Sequence, residues 1–179
     1  MKASIRNIAV LIACALLGGC ATKFQQVNLV PVGITRSSAP FDLELKTVTV
    51  AIAAPDLQTG NVRMNATFPP LWRDALQNVI DQAGVFKDDA ARKVTVAAVI
   101  KKFDFNPSGF SNTIKVEADY SVVDRSNGQI LFEKDITNSA SAGAGDEWVA
   151  QNRVIMLWNK ATQENIRTFV QALKESGIK

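Results

Sequence analysis

The chain has 179 residues, 47% of them hydrophobic and 21% charged, the balance of one globular domain with enough apolar side chains for a core. Formal net charge is +3, but Lys2 and Arg6 lie in a leader-like stretch; without them the chain is close to neutral, which argues against a nucleic-acid binder with a clustered basic face. Histidine is absent, which removes the commonest general base, the usual serine or cysteine triads and most zinc sites.

Residues 1–20 run from the basic Lys2 and Arg6 through the apolar "IAVLIACALL" to Gly18, Gly19 and Cys20. Positive, apolar, then small is the order of a secretory signal peptide, and the apolar run is too short to span a bilayer. The "LGGC" ending resembles the lipobox of bacterial lipoproteins. That resemblance implies a signal peptide over 1–19, cleavage before Cys20, and acylation of Cys20 as a membrane anchor. Several acyl chains make physical sense, because a single chain holds a membrane only marginally. Cys14 would leave with the leader, so the mature chain could form no intramolecular disulfide. No aspartate follows Cys20, which resembles the outer-membrane sorting pattern of Gram-negative lipoproteins.

From residue 20 to 46 the chain shows no sustained period and reads as a tether, with "QQVNLVPV" as one extended piece laid on the domain. The domain is assigned to 47–179. "TVTVAIA" (Thr47–Ala53) alternates as a first strand closed by Pro55. "PLWRDALQNVIDQAG" places Trp72, Ala75, Leu76, Val79 and Ala83 at helical spacing, with Pro70 in the first turn and Gly84 just past the end. "KVTVAAVIKKFDF" is a second strand whose inward parity flips at Lys101–Lys102, which predicts a bulge. "NPSGFSN" (Asn106–Asn112) reads as a turn, and "TIKVEADYSVV" as a strand with one wet face. Asn127–Gly128 marks a hairpin leading to "ILFEKDI", a fourth strand. "TNSASAGAG" (Thr137–Gly145) reads as small, polar and flexible. The last helix is predicted over Asp146–Ser176, with a stripe of Trp148, Ile155, Trp158, Ile166, Phe169, Val170 and Leu173. Asp146 and Glu147 would favour its positive end.

The predicted order β-α-β-β-β-α describes an α+β two-layer sandwich, a mostly antiparallel four-stranded sheet with two helices on one face. Behind a lipobox, this layout resembles small Gram-negative envelope lipoproteins of the YajG and LptE type and the auxiliary lipoproteins of envelope transporters. "AGVF" after the first helix, "NGQILF" and "ENIRTFVQAL" carry the likeness. It implies a non-catalytic binding or assembly accessory in the outer membrane, facing the periplasm.

Candidate chemistry is thin. Glu117 and Asp119 share a strand face, as an acid/base pair requires, but Lys115 and Ser121 lie beside them and a solvated face accounts for all four. "GAGDEW" lacks the lysine of a phosphate loop and "DRSNG" lacks the carboxylates of a calcium loop. No catalytic residue, metal ligand or cofactor is therefore assigned. Two surfaces stand out as partner sites. Val149, Met156 and Leu157 lie away from the main stripe of the last helix, and either the N-terminal segment folds over them or a partner does. Thr49, Ala51, Ala97 and Val99 would form a small-residue patch on the sheet face opposite the helices. The expected partners are the membrane, through a lipidated N-terminus, and an envelope protein or glycolipid; a lipid carrier would need a cavity lined by Trp72, Phe103, Trp158 and Phe169.

Overall fold

The computed structural model describes residues 25–108 and 110–178; the leader and Cys20 lie outside them. The elements are β1 (Glu44–Ile52), α1 (Phe68–Ala83), β2 (Lys93–Ser108), β3 (Ser111–Asp124), β4 (Ile130–Gly143) and α2 (Ala150–Glu175). The sheet runs β1-β2-β3-β4, with β1 parallel to β2 and the remaining pairs antiparallel. Parallel pairing of β1 and β2 follows from the helical crossover through α1, which two-residue turns cannot replace. Both helices cover one sheet face, as the α+β two-layer reading requires.

α1 begins at Phe68 because prolines occupy its first positions, where a missing N–H costs nothing. It ends at Gly84, whose φ of 54° lets its N–H reach Ile80 and Asp81 carbonyls. β2 breaks register between Ile100 and Lys102, so that Ile100 faces Ala118 and Phe103 faces Val116. The bulge read from the parity flip is present, and it keeps both apolar sets on the helix side. Between the layers Phe68, Trp72, Phe103 and Trp158 pack edge to face or tilted, with centroids 5.0 to 6.2 Å apart. A buried polar chain crosses the same core. Trp72 Nε1 donates to the Tyr120 hydroxyl at 3.2 Å, which donates to Asn165 Oδ1 at 2.8 Å, and Asn165 Nδ2 donates to the Ile136 carbonyl at 2.9 Å.

Several expectations change. β1 starts three residues before Thr47. The predicted turn over Asn106–Asn112 is mostly strand, because β2 and β3 stay paired out to Ser108 and Ser111. β4 does not stop at Ile136: the supposedly flexible "TNSASAG" pairs residue by residue with β3 as far as Gly143. Its alternation places Ile136 and Ala142 inward and Thr137, Ser139 and Ser141 outward. α2 starts at Ala150, not Asp146. Asp146 Oδ2 instead accepts the Gly143 N–H at 2.7 Å and Glu147 Oε1 the Val149 N–H at 2.9 Å, so both acids hold the loop. Trp148 thus lies outside the helix and is 84% exposed. Among the described residues no helix is long and apolar enough to cross a membrane.

Candidate functional site

The segment before β1 is a strap along α2. The Gln25 N–H donates to Asn152 Oδ1 and the Asn28 N–H to Asn159 Oδ1, each at 3.0 Å. In return Asn159 and Gln163 donate to the carbonyls of Gln26 and Asn28, Arg167 to Val32, and Lys174 to Thr35. The spacing is self-consistent: an extended chain from Gln25 to Thr35 covers ~33 Å, and helix from Asn152 to Lys174 also covers ~33 Å. Leu29 and Pro31 are buried by this contact. Farther on, the Ser37 N–H meets the Ala83 carbonyl at the end of α1 and the Phe41 N–H meets Val85.

The strap decides how the second side of α2 is used. Met156 lies on the row between Asn152 and Asn159 that the strap follows and is half-buried, as is Val149 just before the helix. Leu157 is fully buried in the core. It is therefore a packing residue and not a partner contact, while Ile155 and Trp158 of the expected stripe are only half-buried. The amides at 152, 159 and 163 were the overlooked signal. Side-chain amides repeated on one helix row can satisfy the backbone of a passing chain.

The other sheet face has no element over it among the described residues. Its rows follow the register: Thr49, Ala97, Ser121, Glu133 in one, and Ala51, Val99, Asp119, Asp135 in the next. Ala51 is exposed, Val99 is 36% exposed and Ala97 is half-buried. In these two rows the face is small and neutral over β1 and β2, while Asp119, Glu133 and Asp135 make it acidic over β3 and β4. Like charges at Asp119 and Asp135 face each other, an arrangement that is unfavourable alone. Lys101, the extra residue of the bulge, resolves it by reaching Asp119 at 2.5 Å and Asp135 at 3.3 Å. Its bond to Asp119, more than that to Asp135, holds the Lys101 amine above its ordinary pKa. Glu117 and Asp119 do share this open face, with Asp119 engaged by Lys101.

At the end where β1 and β2 begin, a depression of about 760 Å³ is lined by Lys46, Arg92, Lys93, Asp124 and Arg125. Its cations already have partners. Lys46 and Lys93 pair with Glu44, Arg92 with Asp124, and Arg125 donates to Thr47 Oγ1 at 3.0 Å. Among the described residues no group of three acids, cysteines or histidines is placed to hold a metal.

No protein-family model matches the chain, and no curated protein matches it. Protein XCC0632 from Xanthomonas campestris, of the family DUF330, is similar in structure. It shares 12% identity over 85% of this chain and 93% of its own, with a TM-score of 0.57. A minor lipoprotein from Acinetobacter baumannii, 8% identical over 73% of this chain and 93% of its own, has a TM-score of 0.47. Protein CT253 from Chlamydia trachomatis, 13% identical over 73% and 97%, has a TM-score of 0.48. The first of these establishes a shared fold, and at such identities no more than the fold.

Proposed function

We propose that this chain is an envelope lipoprotein, anchored through Cys20 in the outer membrane and facing the periplasm, that serves as a non-catalytic accessory by capturing an envelope protein on its open sheet face. The observation that carries the reading is the uncovered neutral patch of Thr49, Ala51, Ala97 and Val99, set on a domain whose opposite face is filled. The lipobox-like leader supports it. Anchoring confines the domain to two dimensions and raises its effective concentration near membrane partners, so that modest affinity suffices. A lipid carrier is disfavoured, because Trp72, Phe103, Trp158 and Phe169, which would have lined its cavity, pack against neighbouring rings instead.

The test is the double substitution Ala51→Asp and Ala97→Asp. Both side chains lie on the open face, so the melting curve should hardly move. A charge carried into an apolar contact should lower the yield of crosslinked partner in intact cells by at least about tenfold, equivalent to ~1.4 kcal/mol. An unchanged crosslinking pattern refutes the sheet-face site. The intact mass of the native product tests the anchor separately: it should begin at Cys20 and carry added acyl mass.

A further inference from the structure

Two of the most exposed large side chains in the described residues lie at the same end of the domain. Phe110, at the tip between β2 and β3, is 86% exposed, and Trp148, just before α2, is 84% exposed. The loops that carry them are joined, since the Phe110 carbonyl accepts the Ala144 N–H at 3.0 Å and Gly143 is clasped by Asp146. Arg153, itself buried, fixes the Trp148 backbone by donating to the carbonyls of Glu147 and Trp148 at 2.9 and 3.4 Å. Local folding therefore holds an indole and a phenyl ring exposed at this end.

The strap enters the described structure at this end. Gln25 binds Asn152, one turn from Trp148 in the chain. Fully extended chain from Cys20 to Gln25 reaches at most ~18 Å. A bilayer holding the acyl chains of Cys20 would then lie within that distance of the strap's entry point, at the end of the domain that carries both rings. The strap removes the slack that a long tether would give, because Gln25 to Thr35 is bound along α2 and cannot pay out.

We propose that Phe110 and Trp148 form a membrane-contact ridge that inserts at the headgroup level beside the lipid anchor and fixes the domain upright on the bilayer. The proposal rests on the anchor reading above. Amphipathic tryptophan suits the membrane interface, where its ring is shielded and its N–H stays wet. Asp146 and Glu147 beside it disfavour a strongly anionic surface, so the contact is with zwitterionic lipid. Standing in this way, the domain points its β1–β2 starting end, with Lys46 and Arg92, away from the membrane. The open sheet face would be presented sideways to membrane neighbours.

The test uses the mature native lipoprotein reconstituted into phosphatidylcholine vesicles, with and without dibrominated acyl chains. Bromine quenches only tryptophan at the bilayer; of the other two, Trp72 is fully buried and Trp158 is half-buried against Phe68 and Phe103 between the layers. Trp148 emission should be quenched by at least about half in brominated vesicles, and Trp148→Phe should abolish the quenched component. Adding Phe110→Trp to Trp148→Phe should restore quenching. A protein that floats with vesicles while Trp148 stays unquenched and accessible to aqueous iodide overturns the ridge but leaves the anchor intact. Trp148 shielded from iodide yet unquenched by bromine points to a protein contact and also overturns the ridge. Failure to float overturns the anchor reading, and the ridge with it.

Discussion

Asp124 closes the β3–β4 hairpin with both carboxylate oxygens engaged. Oδ1 accepts the Ser126 N–H and hydroxyl at 2.8 and 2.7 Å, and Oδ2 accepts from Arg92. The Ser126 hydroxyl, then Arg92, then the Ser126 N–H hold its pKa down at about 2 from an ordinary 3.8. A depressed carboxylate stabilises the fold only while ionised. Its contribution is complete above pH ~4 and disappears as pH falls toward 2. Asp124→Asn should therefore lower the melting temperature by several degrees at pH 7 and flatten the acid slope between pH 4 and 2, as read by thermal melts across that range. The hairpin itself was legible, since Gly128 takes the φ of 76° that Asn-Gly announces. The partner Arg92 was not, being distant in sequence. Gly60 shows the same limit. A Cβ there would lie 2.3 Å from the Phe103 carbonyl oxygen, a close approach that no local pattern reveals.

At the scale of elements, β4 shows why a small-residue segment misleads, whereas the strap was legible as an extended piece lying on the domain but not in its exact path along α2. "TNSASAG" has the alternation of a strand, but its residues have weak strand preference, and only the ladder with β3 makes it one. The strap has almost no internal bonds; its backbone is satisfied by α2 side chains. If it is bound in solution, Leu29→Ala should cost ~2–3 kcal/mol in urea unfolding, as for other buried leucines. A change below ~0.5 kcal/mol would mean that the strap detaches, and the length argument for the membrane ridge would go with it. By contrast α1 was readable from end to end, because Trp72, Leu76, Val79 and the Gly84 stop all lie within one short window.

Across the whole molecule, one buried cluster extends from Leu29 in the strap through both helices to all four strands. The Trp72–Tyr120–Asn165–Ile136 chain ties α1, β3, α2 and β4 inside it, and burial raises the Tyr120 hydroxyl well above its ordinary pKa. A single core predicts a single transition. In a Trp148→Phe background, tryptophan emission and far-ultraviolet circular dichroism should give superimposable urea curves. Separate midpoints would show helices and sheet coming apart independently.

Periodicity in the chain sufficed for the element order, the two-layer α+β class, the bulge at Lys101 and the faces of Ala51 and Ala97, because each depends on neighbours within a few residues. The absence of histidine and the "LGGC" leader likewise needed no coordinates. Tertiary structure alone decided that Leu157 is core, that Trp148 is free of the helix, that β4 continues to Gly143 and that the N-terminal segment lies along α2. Those outcomes depend on which distant groups arrive to satisfy a backbone or cover an apolar surface, and such pairings leave no period in the sequence.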